Sequence, residues 1–298
     1  MTTGLATFGR RAATRDLVGV DIAVLGVPYG VDTPAGSGAR GGPPAIREQS
    51  LFVGQDARGH WPWDFTLWDA ATVVDWGDVV ASTPWAGSPE AMVADTRRAV
   101  ATIVAAGASP LVLGGDHSVS YPVLAALAER HGPLSLVHFD AHSDTWDRGD
   151  ELGHGTVFRV AARDGLVDPS RSVQVGMRTA GPSDCGFAVV DADALLDRPL
   201  TETVAEIRSR VGDRSVYVSL DIDFLDPAFA PGTGTPVVGG PSTRDARRLL
   251  HGLAGLRVVG ADHVEVAPDL DATGSLTAIT AATLAVDLAH LLALGRRS

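Results

Sequence analysis

The stretch LSLVHFDAHSDT, residues 134–145, decides how this chain is read. LSLVHF has the continuous apolar character of a buried strand. It ends in His138, Asp140, His142 and Asp144 rather than in turn residues. In an extended segment, side chains two apart share a face, so Asp140, His142 and Asp144 converge if the backbone stays extended past the strand end. The same device recurs at SLDID (219–223), which delivers Asp221 and Asp223, and at LVLGGDH (111–117), which delivers Asp116 and His117. Carboxylates gathered from three strand ends repel one another unless a strong positive charge lies among them.

Two divalent ions supply that charge, with His117, Asp140, His142, Asp144, Asp221 and Asp223 expected as their ligands. Carboxylates outnumber imidazoles and no thiolate is in the set, which favours a harder ion such as manganese over zinc. Any one of these aspartates taken alone reads more simply as a turn or helix cap. His138 sits deeper in the strand and reads as a buried, hydrogen-bonded histidine. Asp116 and Asp226 read as partners of the backbone, or as groups that orient ligands without touching metal. His60, His131, His251, His263 and His290 fall in no cluster and stay unassigned.

Outward from this stretch, apolar runs recur at 21–29, 71–76, 110–115, 134–140, 172–177, 186–190, 215–223 and 257–266. Segments of helical period lie between them, among them 88–107, 201–211, 243–255 and 275–295. Near-continuous apolar strands alternating with helices predict an α/β fold: a three-layer α/β/α sandwich around an open, mostly parallel sheet of about eight strands. The absence of repeats and long linkers predicts one domain over 1–298, with 1–19 as an extended N-terminal arm. The Gly/Pro-rich stretches 32–45 and 226–242 follow strands directly and are expected to wall a pocket at the carboxyl edge of the sheet.

The bulk composition bounds the function. The chain has 298 residues, 45% of them hydrophobic, and a net charge of −12. That charge disfavours nucleic acid, whose phosphates need a basic face, and suits a cationic ligand. A single cysteine, Cys185, precludes an internal disulfide and a thiolate metal cluster, so a reducing, cytoplasmic setting is expected. Neither a signal-peptide core nor an apolar run of membrane-spanning length is seen, so no membrane association is expected.

The blocks GGDHS (114–118), DAHSDT (140–145) and SLDIDFLDPAFAPGTGTP (219–236), in this order, resemble the ureohydrolase family of arginases, agmatinases and guanidino-acid hydrolases. The resemblance runs from GVPYG (26–30) to VEVAP (264–268), and WPWDF (61–65), 165–179 and 226–240 look most like bacterial agmatinases. It implies an arginase-like fold, two Mn2+ per subunit on the six ligands named, and a trimer or hexamer. It also implies roles for His154 of HGT as a proton shuttle and Glu265 of VEV as partner of the substrate guanidinium, with Asp144 holding and deprotonating the nucleophile. Read without it, His154 is a loop histidine and Glu265 a strand-end cap.

The reaction expected is agmatine plus water giving putrescine and urea, through attack of a metal-bridging hydroxide on the guanidinium carbon. The runner-up is hydrolysis of guanidinobutyrate or guanidinopropionate, for which Arg40 and Arg178 are loop candidates to meet a carboxylate tail. Two weaker alternatives are a mononuclear-zinc amide deacetylase and a non-catalytic metal-binding relative. Two stretches depart from the family's pattern: GADH, with Ala261 and His263, and TPAGSGAR (33–40).

Overall fold

A computed structural model describes residues 4–30, 37–53, 60–81, 89–149, 151–179 and 185–296. Its eight strands are β1 (Ile22–Gly26), β2 (Val73–Asp78), β3 (Ser109–Leu113), β4 (Ser135–Phe139), β5 (Val173–Met177), β6 (Ala188–Asp191), β7 (Val216–Asp221) and β8 (Val258–Val264). Each falls on an apolar run expected to be a strand. They form one sheet in the order β2-β1-β3-β8-β7-β4-β5-β6, and every pairing is parallel.

Parallel strands need crossovers, and the helices supply them on both faces. On one face lie α3 (Pro89–Ala105), α4 (Ser120–His131) and α5 (Val157–Arg163). The other carries α1 (Gly42–Ser50), α2 (Leu67–Ala70), α6 (Ala192–Leu196), α7 (Leu200–Val211), α8 (Thr243–Gly252) and α9 (Leu276–Gly295). Two apolar clusters fill the spaces between the layers, one around Leu111, Val218 and Leu288 and one around Val112, Tyr217 and Leu127. Among the described residues α9 is the one helix long and apolar enough to cross a membrane, yet 83% of its apolar window is buried inside the protein.

The N-terminal stretch packs onto the fold. Phe8 is fully buried, its backbone N–H donates to Asp75 Oδ2 at 2.8 Å, and Ala13 bridges to Asp75. Arg47 of α1 closes the same corner, donating to both Asp75 and Asp78.

One feature of the order places the site. β3 and β4 follow each other in the chain but stand apart in the sheet, with β8 and β7 between them. The chain leaves β3 and β4 toward α4 and α5 on one face but leaves β7 and β8 toward α8 and α9 on the other, so the carboxyl ends of β3, β8, β7 and β4 border a shared crevice.

Candidate metal centre

All four of these strand ends deliver acidic or imidazole groups. β3 stops at Leu113, and Gly114-Gly115 carry the chain to Asp116 and His117. Only glycine fits at position 115, since a Cβ there would fall 1.5 Å from Tyr29 O. β4 hands over to Asp140, β7 ends on Asp221, and β8 is followed directly by Glu265. His117, Asp140, Asp144, Asp221, Asp223 and Glu265 are buried, and His142 and His154 face the outside partly.

The expected convergence occurs, but not through an extended backbone. Past Phe139 the chain bends: Asp140 Oδ1 accepts the backbone N–H of His142 at 2.6 Å, and Asp144 adopts a left-handed φ of 50°. Asp221 Oδ1 likewise accepts the Asp223 N–H at 2.7 Å. Each first aspartate thus turns the backbone that presents the next candidate donor.

The result is two groups of donors with Asp140 common to both. One holds His117, Asp140 and Asp144, with His138 alongside; the other holds Asp140, His142 and Asp223. In the first, His117 Nδ1 lies 3.2 Å from Asp140 Oδ2, 2.8 Å from Asp144 Oδ2 and 3.4 Å from Asp221 Oδ2. In the second, His142 Nδ1 lies 3.4 Å from Asp140 Oδ1 and 3.0 Å from Asp223 Oδ2. Asp140 offers a different oxygen to each group.

A hydrogen-bond chain behind His117 fixes which nitrogen faces this site. Asp262 of β8 accepts hydroxyl protons from Ser219, Tyr217 and Ser120 at 2.7, 2.5 and 2.5 Å. Ser219 has one proton, so its remaining lone pairs face His117 Nε2 at 2.8 Å, which must donate. Nδ1 is then left as a lone pair among carboxylates, buried and without a hydrogen-bond partner. A cation is the missing partner, and this fit supports a metal on these residues.

Without metal, protons take that role. Burial opposes a charge on His117, but its contacts with Asp140, Asp144 and Asp221 hold it well above the usual histidine range. His142 is pushed up to about 12 against its burial by Asp140 and Asp223. Burial and the neighbouring Asp223 and Asp140 raise Asp221 well above the carboxylate range, and burial with Asp140 lifts Asp223 to about 6.

Glu265 and His154 stand at the same crevice. Glu265 has a left-handed φ of 62°; its Oε1 accepts the His117 backbone N–H at 2.9 Å, and its buried Oε2 has no hydrogen-bond partner. Left-handed non-glycine backbone is strained, and such strain concentrates at working sites. His154 Nδ1 lies 3.8 Å from Glu265 Oε1.

Arg178 is fully occupied elsewhere. Its guanidinium donates to the backbone carbonyls of Gly176, Asp223, Phe224, Leu225 and Val237 at 2.7 to 3.1 Å. Arg40 is exposed, with one bond to Gly30 O. Asp116 accepts from Ser118, and Asp226 accepts from the N–H groups of Ala228, Gly239 and Gly240, so both shape loops as expected. Ala261 and His263 are fully buried within β8, and residues 33–36 of the other departing stretch lie outside the described residues. His60, His251 and His290 gather around Trp63, and Asp287 accepts the Trp63 indole N–H.

Sequence reasoning missed Ser219, Tyr217, Asp262 and Gln174. A signal was present, because Tyr217 and Ser219 share the parity of Asp221 in an otherwise apolar strand.

Known proteins resemble this arrangement throughout its length. A model described as the arginase family matches residues 20–290. An agmatinase of Photorhabdus laumondii is 45% identical over 274 residues, 92% of this chain and 88% of its own. A crystal structure of a hypothetical agmatinase from Burkholderia thailandensis superposes with a TM-score of 0.90 at 45% identity, covering 98% of this chain and 91% of its own. Proclavaminate amidino hydrolase from Streptomyces clavuligerus gives a TM-score of 0.89 at 38% identity, covering 98% of both chains.

Proposed function

The chain belongs to the arginase family and is a hydrolase of the guanidino C–N bond, and from that premise we propose that it converts agmatine and water to putrescine and urea. The observation that carries the two-ion site is Asp140, which offers one oxygen to each of two donor groups. His117, Asp140, Asp144 and Asp221 would hold one manganese ion, and Asp140, His142, Asp221 and Asp223 the other. When bound, such a pair supplies Lewis acidity that brings the pKa of water to about 7 and fixes its orientation.

The residues of the chain do the rest. A guanidinium carbon is a poor electrophile because three nitrogens feed charge into it, so position matters as much as nucleophile strength. Glu265, whose buried Oε2 lacks a partner, takes the cationic guanidinium and turns its carbon toward the attacking water. Asp144 accepts the proton that this water loses and returns it to the departing amine, which otherwise would leave as a strongly basic amide anion. His154, partly exposed and beside Glu265, passes protons between the crevice and solvent.

Agmatine is favoured by the names of the similar chains and by the fate of Arg178, whose donors are consumed by carbonyls rather than left for a carboxylate tail. The second reading, a guanidino-acid substrate, draws support from the Streptomyces likeness, since proclavaminate is a carboxylate. The test is urea release after manganese loading from agmatine, arginine, guanidinobutyrate and guanidinopropionate. Agmatine is expected to be turned over fastest. Faster turnover of guanidinobutyrate installs the second reading, and no urea from any of them overturns both.

A further inference from the structure

His138 lies close enough to His117, Asp140 and Asp144 to be counted among the metal donors, and it is fully buried. Its two ring nitrogens nevertheless have separate partners. Nε2 is 2.7 Å from Asp140 Oδ2, and Nδ1 is 3.0 Å from Gln174 Nε2 on the neighbouring strand β5.

We propose that His138 is a positioning residue of the metal centre, not a ligand: Gln174 fixes its tautomer so that Nε2–H holds one oxygen of Asp140. The inference rests on the two-ion reading above.

Ser143 fixes the orientation of the Gln174 amide. Its backbone carbonyl oxygen lies 2.5 Å from the Gln174 side chain, and a carbonyl can only accept. The Gln174 atom facing it is therefore the amide nitrogen. One of its two protons goes to Ser143 and the other points at His138 Nδ1, which must accept. A neutral imidazole then carries its proton on Nε2, facing Asp140. Neither nitrogen has a lone pair left for a cation.

This arrangement holds Asp140 from outside the cation site. Its Oδ2 receives His138, and its Oδ1 receives the His142 N–H. With each oxygen pinned, the carboxylate plane is set to serve both donor groups. Gln174 does a second job, because Ser143 sits between His142 and Asp144 and its carbonyl anchors the bend that presents both. The His138 ring is packed against Phe158 at 4.3 Å and edge-on to His117 at 5.1 Å, which restricts its rotation.

The test is manganese titration of metal-free protein, read by bound ions per subunit and by the exchange-coupled signal of paired Mn2+ in electron paramagnetic resonance. Circular dichroism checks the fold of each variant. His138→Gln keeps an N–H donor and is expected to bind two ions within about tenfold of the native affinity. His138→Leu is expected to weaken uptake by about 10–100-fold, the usual effect of removing a group that orients a ligand, and to lose the coupled signal at subsaturating metal. Gln174→Leu leaves His138 in place and is expected to weaken uptake in the same direction, so it carries the test if His138→Leu does not fold.

The proposal is overturned if the leucine variants bind both ions as the native chain does. It is equally overturned if a folded His138→Gln variant loses one ion outright, since that marks a ligand. The native chain's own titration reports separately on the two-ion reading, which fails if fewer than two ions bind.

Discussion

The Nδ1 of His117 stands 2.8 Å from Oδ2 of Asp144, and the chain through Ser219 to Asp262 leaves that nitrogen a lone pair. Two electron-rich atoms so close need a cation between them, and the choice between proton and metal makes the fold sensitive to pH.

In the metal-free chain, His117, Asp221 and Asp223 have folded pKa values raised above their unfolded ones. Each contributes stability that is present below its unfolded pKa and lost as pH rises through its folded pKa. For Asp223 that window runs from 3.8 to about 6; for His142 it opens at 6.5 and extends toward about 12. Asp140 is lowered well below the usual range by His138, His117 and His142 despite its burial, so its contribution is lost only in acid. Manganese is therefore expected to raise Tm more at about pH 8 than at about pH 6, because binding releases the protons held by His117, His142 and Asp221 and that release is easier at higher pH, while Asp223 has already lost its proton. Scanning calorimetry with and without metal checks this; a larger gain at the lower pH contradicts it.

Replacing the shared carboxylate removes a donor from both groups. Asp140→Asn is expected to hold at most one manganese per subunit and to lose at least about 100-fold in kcat. Elemental analysis beside urea release measures both, and two retained ions would show that the bridge lies elsewhere.

In the proposed mechanism Glu265 holds substrate rather than metal. Glu265→Gln is expected to keep both ions while kcat/KM for agmatine falls about 100-fold or more, with KM raised. Steady-state kinetics on metal-replete protein decides, and loss of metal in this variant would reassign the residue.

In the proposed mechanism His154 moves protons at the rim. His154→Ala is expected to lower kcat by about 10²–10⁴-fold with metal content unchanged. An unaltered kcat would remove it from the mechanism.

Arg178 ties the Asp223 loop to β5 through backbone carbonyls. Arg178→Met leaves buried acceptors without partners and is expected to cost about 2–4 kcal/mol of stability. The ratio of agmatine to guanidinobutyrate turnover is expected to stay as it was. Denaturant unfolding and the two-substrate ratio test the two halves, and a changed ratio would bring Arg178 into the tail pocket.

Much of this was legible in the sequence because buried parallel strands write themselves as unbroken apolar runs, and all eight were found that way. Helices such as α6, five residues long, and α4, opening on Ser-Tyr-Pro, carry weaker periodic signals. The candidate ligands at the strand ends stood out because carboxylates following apolar runs are conspicuous. The route by which they meet did not, since alternation suggests an extended path while Asp140 and Asp221 each turn the backbone through their own side chains. The polar layer behind them was hidden for another reason. Ser219, Tyr217, Asp262 and Gln174 lie inside strands, where one polar residue looks incidental until its neighbours across the sheet are known.

The most direct measurement is an anomalous difference map from manganese-soaked crystals of this protein. Two peaks about 3.5–4 Å apart are expected, each with a different oxygen of Asp140 as ligand, the first also bound by His117 Nδ1 and the second by His142 Nδ1. A single peak, or a pair with Asp140 bound to neither, contradicts this expectation.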